Sequence, residues 1–124
     1  PQQQQIVMLA ISEANGCDYC MAAHSLIAGM AQVPAETVAT LRQCGDLTDP
    51  TEAALGKFAR GVIEHRGWVP EGDQEAFLAA GFTRRQLLDV IALAALKTLS
   101  NYANHLAHTP LDPAFEGHRW TKSR

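Results

Sequence analysis

The sequence predicts an all-α fold, and three observations carry that expectation. Proline and glycine punctuate the 124 residues at helix-length intervals. Apolar residues recur at i, i+3, i+4 and i+7, while no stretch sustains the period-two alternation of β-branched residues that marks a half-buried strand. The longest apolar run is opened by a capping box, Thr83 with Gln86 three residues on. No internal repeat and no long linker divides the chain, so residues 1–124 are read as one helical domain.

Six helices are expected. The first covers residues 2–14 and stops at Asn15-Gly16, a pair suited to left-handed backbone. The second starts at Cys17 or Asp18, a carboxylate that suits the positive end of the helix dipole, and carries Met21, Ala22, Leu26, Ile27 and Met30. Val33-Pro34-Ala35-Glu36 opens a third, with proline at a first-turn position, that runs to Gln43 or Cys44 before Gly45. Asp49-Pro50-Thr51-Glu52 opens a fourth, whose Leu55, Phe58, Ala59 and Val62 share one face and which ends near Gly67. A short fifth spans 72–80 and is closed by Gly81. The sixth, 84–107, is apolar nearly all round in its middle (Leu87, Leu88, Val90, Ile91, Leu93, Leu96, Leu99), which predicts a place in the core or in a subunit interface. Thr109-Pro110-Leu111-Asp112-Pro113 ends it, and the tail is expected to strap over the surface through Phe115 and Trp120. Trp68 and Trp120 read as packing residues, His65 and His118 as surface residues, and Cys44 as half-buried.

Composition excludes several classes of function. A net charge of −3, with Arg84-Arg85 the densest basic group, argues against nucleic acid, which is held by clustered Lys and Arg. The uncharged run between Asp89 and Lys97 is far short of the roughly 20 residues that span a bilayer, so no membrane partner is expected. With 47% hydrophobic residues the chain can bury a core without metal or disulfide staples, which excludes disordered and collagen-like classes. Three cysteines, an odd number with two of them close-spaced, point to a reducing compartment, and a cytoplasmic location without a signal peptide is expected. Pro1-Gln2-Gln3-Gln4-Gln5 lacks an initiating Met and leads at once into Ile6-Val7-Met8-Leu9, so further residues upstream are expected.

One constellation is specific for chemistry: Cys17-Asp18-Tyr19-Cys20-Met21-Ala22-Ala23-His24, that is C-x-x-C-x-x-x-H at a helix start. Residues three and four apart share a helical face, so Cys17 lies over Cys20 and Cys20 over His24. A thiolate attacks peroxides and disulfides, and a helix N-terminus or a neighbouring histidine lowers the thiol pKa. Cys20 is one turn from His24 and Cys17 nearly two, roughly 10 Å at 1.5 Å per residue. Cys20 is therefore the expected attacking thiol, Cys17 the resolving thiol and His24 the base. The expected cycle passes through a sulfenic acid at Cys20 and a Cys17/Cys20 disulfide that an external dithiol reduces.

Other readings compete. Buried cysteines can be small hydrophobes. A zinc site would use Cys17, Cys20 and His24 with Cys44, His105 or His108, although structural zinc normally needs a second close ligand pair. A c-type haem needs histidine where Met21 stands. The polar stripe Asn101, Asn104, His105 and His108 on the last turns of the sixth helix could face the thiols, but helix-end capping accounts for it more simply.

The segment from Ile6 to His24 resembles the core of the alkylhydroperoxidase D-like, carboxymuconolactone decarboxylase superfamily, and most closely its uncharacterised peroxidase-related branch. Ala80-Gly81-Phe82-Thr83, Asn101-Tyr102-Ala103-Asn104-His105 and Thr109-Pro110-Leu111-Asp112 extend the likeness over most of the chain. The resemblance implies an antiparallel helical core, a homo-oligomer from dimer to hexamer, and reduction of a small hydroperoxide by the paired cysteines without metal, haem or flavin. It implies a reductant that is a dithiol of thioredoxin or lipoyl type. It carries catalytic roles onto Cys17, Cys20 and His24, with Tyr19, Asn101 and His105 as candidate site-lining residues. The superfamily's relay glutamate falls on Gln5, where an amide can bond a histidine but cannot shuttle a proton, so weaker activity is expected. Glu13, the nearest remaining carboxylate, lies about 80° round the helix from Gln5. Two alternatives stand beside the peroxidase: a decarboxylase-like acid/base enzyme, for which the dithiol would be superfluous, and a non-enzymatic redox-sensing or binding module.

Overall fold

A computed structural model describes residues 1–123. Its elements are α1 (Gln2–Ala14), α2 (Asp18–Met30), α3 (Ala35–Arg42), α4 (Pro50–Glu64), α5 (Glu71–Ala79), α6 (Arg84–Ala107) and a 3₁₀ turn, Pro113–His118. The fold is all-helical, as the punctuation and periodicity predict, and among the described residues there is no strand.

α1 is the central element. It packs on α2, α3, α4 and α6, and Ile6, Val7, Leu9, Ala10, Ile11, Ser12 and Glu13 are all buried. A helix buried on nearly every side must be apolar on nearly every side, which Ile6 to Ile11 supply. A ladder of phenylalanines closes the other end of the core: Phe58 of α4 lies 4.6 Å from Phe77 of α5, and Phe77 4.6 Å from Phe82. Such offset aromatic pairs contribute beyond their buried area.

Local caps follow the sequence closely. Asp49 accepts from the backbone of Thr51 and Glu52 with Pro50 in the first turn of α4. Thr83 and Gln86 form the reciprocal capping box that starts α6.

The expectation for α6 divides. It does not run through the core: only Val90, Ala94, Lys97 and Asn101 are buried, while Leu88, Leu96, Leu99 and Leu106 are well exposed. Trp68 is also not a packing residue, being 87% exposed. Arg66 and Gly67 both adopt left-handed backbone, and after this turn Val69 is the side chain that enters the core. No described helix is long and apolar enough to cross a membrane.

The tail is held by contacts between distant residues. Arg42 donates to Ser25 Oγ and to the carbonyls of His118 and Arg119, while Trp120 Nε1 donates to the Arg42 carbonyl at 2.8 Å. Tyr19 joins in through its hydroxyl on Asp112 Oδ2 at 2.7 Å and an edge contact with Phe115. The strap therefore crosses the start of α2, beside the cysteine pair.

Candidate active site

The turn between α1 and α2 positions the first cysteine. Gly16 has φ +66°, a conformation without Cβ strain only for glycine. The Gly16 N–H bonds the Glu13 carbonyl and the Cys17 N–H bonds the Ser12 carbonyl, the two bonds of a Schellman cap. Lys122 Nζ donates to the Ala14 carbonyl at the same helix end. Cys17 is thus delivered as the N-cap of α2, where its sulfur accepts the Cys20 N–H at 3.4 Å. A sulfur stands where serine or aspartate usually caps.

Both thiols are buried, Cys17 fully and Cys20 at 2% exposure. They differ in acidity because they share one hydrogen. The Cys17 thiol hydrogen-bonds Cys20 and holds the Cys20 pKa down to about 6, against the opposing effect of burial. The positive charge of Lys97 and hydrogen bonds from Asn104 and Ser100 act in the same direction. The same thiol–thiol bond, with burial, pushes Cys17 well above the ordinary thiol range. Cys20 is therefore the more acidic thiol of the pair and Cys17 the less acidic. Asn104 Nδ2 reaches Cys20 Sγ at 3.4 Å from α6, with its oxygen fixed by the Thr109 hydroxyl at 2.7 Å.

His24 sits one turn beyond Cys20 but faces α1, its Nδ1 3.0 Å from Gln5 Oε1. The position read as the relay carboxylate is therefore in contact with the histidine, and it is an amide. With Nδ1–H donating to the amide oxygen, Nε2 keeps its lone pair. Burial, then the charge of Lys97, push the His24 pKa down to about 4, so the ring is neutral at pH 7. Glu13 does not replace the missing carboxylate here: it lies 3.9 Å from Arg60 of α4.

The remaining expected residues separate into two groups. Tyr19 and His105 line a shallow cleft of about 210 Å³ over Cys17, together with Gly16, Asn104 and His108. Asn101 is not in it; fully buried, it accepts a long bond from Ser12 and helps lock α6 to α1. No three His, Cys, Asp or Glu side chains among the described residues are arranged to hold a metal ion, so the zinc alternative finds no assembled ligand set. Sequence reading left Lys97 and Ser100 out and did not single out Asn104. The signal was present, since Lys97 is one turn before Asn101 and extends the polar stripe back into the apolar stretch.

Residues 1–59 match the model of the carboxymuconolactone decarboxylase family. No curated protein matches the chain. Two solved structures are similar to it. An uncharacterized peroxidase-related protein from Silicibacter sp. TM1040 superposes with a TM-score of 0.81 at 18% identity, over 94% of this chain and 62% of that one. An alkylhydroperoxidase AhpD core, an uncharacterized peroxidase-related protein from Ralstonia eutropha JMP134, gives 0.77 at 30% identity, over 92% and 61%. The chain thus spans about three fifths of the length of these structures. The first 59 residues are thus similar to the carboxymuconolactone decarboxylase family, and the fold over nearly all the chain is similar to that of an alkylhydroperoxidase AhpD core.

Proposed function

We propose that the protein is a thiol peroxidase that reduces small hydroperoxides through Cys20 and Cys17. The observation that carries this reading is the buried pair of free cysteines at the first turn of α2, with Asn104 Nδ2 3.4 Å from Cys20 Sγ and the Cys20 pKa lowered. The Cys20 thiolate attacks the outer peroxide oxygen and the O–O bond breaks. The alkoxide takes a proton from solvent and leaves as the alcohol, and Cys20 becomes the sulfenic acid. Cys17 then attacks the Cys20 sulfur, giving the disulfide and water; the proton of Cys17 is released as the departing hydroxide on Cys20, one turn from His24, takes one up. An external dithiol of thioredoxin or lipoyl type reduces the disulfide and is itself oxidised.

Cys17 and Cys20 face each other across one helical turn, with Cys17 Sγ 3.4 Å from the Cys20 backbone nitrogen, which supports the second step. A second reading, a single-use redox switch, draws on the amide at Gln5, which leaves His24 without an ionisable relay. The apolar side of α6, with Leu88, Leu96, Leu99 and Leu106 exposed, is the proposed contact with a second copy of the chain.

Intact-mass and peptide-mapping analysis of the reduced protein with a slight excess of organic hydroperoxide tests the proposal. Rapid loss of two hydrogens, located at a Cys17/Cys20 bond and abolished by Cys20→Ser, is expected. Repeated cycling with excess dithiol is expected of a peroxidase, whereas one turnover indicates the switch. Oxidation no faster than that of free cysteine overturns both.

A further inference from the structure

Beyond Asp89, α6 carries a single lysine or arginine, Lys97, and it is buried, with 7% exposure. Lysine ordinarily runs along the surface with its ammonium in water, and an ammonium removed from water requires a compensating group. The ion pairs among the described residues join Lys57 to Asp73, Arg60 to Glu13 and Arg119 to Glu116, and leave Lys97 out. What its charge acts on is the cysteine–histidine group: Cys17, Cys20 and His24.

The register of α6 explains this placement. Lys97, Ser100 and Asn104 stand at i, i+3 and i+7 and share a face. Asn104 reaches Cys20 through Nδ2 at 3.4 Å and bonds the Ser100 carbonyl at 3.0 Å. Asn15, in the turn just before Cys17, donates to Thr98 Oγ1 at 3.3 Å, and Asn101 is bonded to Ser12. The stretch of α6 around Lys97 is thus tied to the turn that carries the dithiol. The buried charged groups on the elements packed against it are Glu13 of α1 and, half-buried, Arg60 of α4, which face each other; Asp18 at the start of α2 is exposed.

We propose that the buried ammonium of Lys97 is the counter-ion of the Cys20 thiolate, a positioning residue that keeps the nucleophile ionised while His24 remains a neutral base. The proposal deepens the thiol-peroxidase reading and rests on it for its purpose. A thiolate out of water needs a cation nearby, and the motif itself offers only His24. That ring faces an amide, which cannot stabilise an imidazolium as a carboxylate would, and burial with the charge of Lys97 keeps it neutral. The two functions that one histidine might combine are divided. Lys97 supplies charge, and His24 supplies a lone pair.

The test is the pH dependence of iodoacetamide alkylation at Cys20 in the reduced full chain, followed by peptide mapping, with circular dichroism to confirm folding. Wild type is expected to alkylate with a midpoint near 6. Lys97→Met should raise the midpoint by about one unit or more, cutting the rate at pH 6 about fivefold, and Lys97→Arg should restore it. His24→Ala should leave the midpoint within about 0.3 unit of wild type. A folded Lys97→Met with the wild-type midpoint overturns the proposal. So does a rise of about one unit or more in His24→Ala, which remains decisive if Lys97→Met does not fold. Alkylation needs no peroxide. A wild type that shows the Lys97-dependent midpoint yet forms no disulfide with hydroperoxide therefore refutes the peroxidase reading and supports the counter-ion.

Discussion

Gln5 is where one atom type changes the chemistry of a site whose geometry is otherwise complete. Its oxygen lies 3.0 Å from His24 Nδ1, close enough to orient the ring. A carboxylate in that place would favour the imidazolium, whereas the amide leaves burial to decide, and the pKa falls to about 4. The wild-type ring is thus expected to titrate near 4 in a proton NMR series. Gln5→Glu should move that midpoint upward by more than one unit, because an opposite charge raises a histidine pKa, and should speed peroxide-driven disulfide formation several-fold. An unmoved His24 titration would show that position 5 does not control the ring. At this scale the placement of Cys17, Cys20 and His24 at the start of α2 was legible, because it depends on spacing along one helix. Lys97 was not. A lone lysine in an apolar helix reads as a surface residue, and only the fold reveals that it is buried, on the helix that carries Asn104 to Cys20.

Elements were read well where local chemistry sets them. Thr83 with Gln86 fixes the start of α6, and Gly16 the end of α1, because caps are made by residues within a turn of each other. Burial was read less well. The sixth helix is the most continuously apolar in sequence, yet α1 occupies the centre. Apolarity all round states that a helix is covered without stating by what. The tail is the strap the sequence led one to expect, through Phe115 and Trp120, but its anchors were not legible: Arg42 and Tyr19 lie more than 70 residues away. These differences predict different costs. Phe77→Ala, which opens the stacked ladder between Phe58 and Phe82, should destabilise by about 3–5 kcal/mol. Thr83→Ala, which removes one exposed cap, should cost about 1 kcal/mol. Urea unfolding of both variants measures the difference, and equal costs would contradict the assignment of the core to the α4–α5 ladder.

At the scale of the molecule, α6 has two unlike sides. One closes the dithiol site through Lys97, Ser100 and Asn104; the other presents Leu88, Leu96, Leu99 and Leu106 to solvent. A contiguous apolar face on a 24-residue helix, about 36 Å long, is the kind of surface that monomers seldom leave uncovered. Leu96→Glu with Leu99→Glu is expected to shift the protein to the monomer mass in size exclusion with light scattering, with the circular dichroism of the fold retained. An unchanged mass would refute the oligomer contact. The sequence by itself determined the helical class, the caps, and the C-x-x-C-x-x-x-H spacing at a helix start, because these follow from backbone preferences and helical spacing. The tertiary structure decided which helix is central, which amide touches His24, and which lysine is buried. Those are contacts between residues many turns apart, and pairing across such distances is fixed by packing alone.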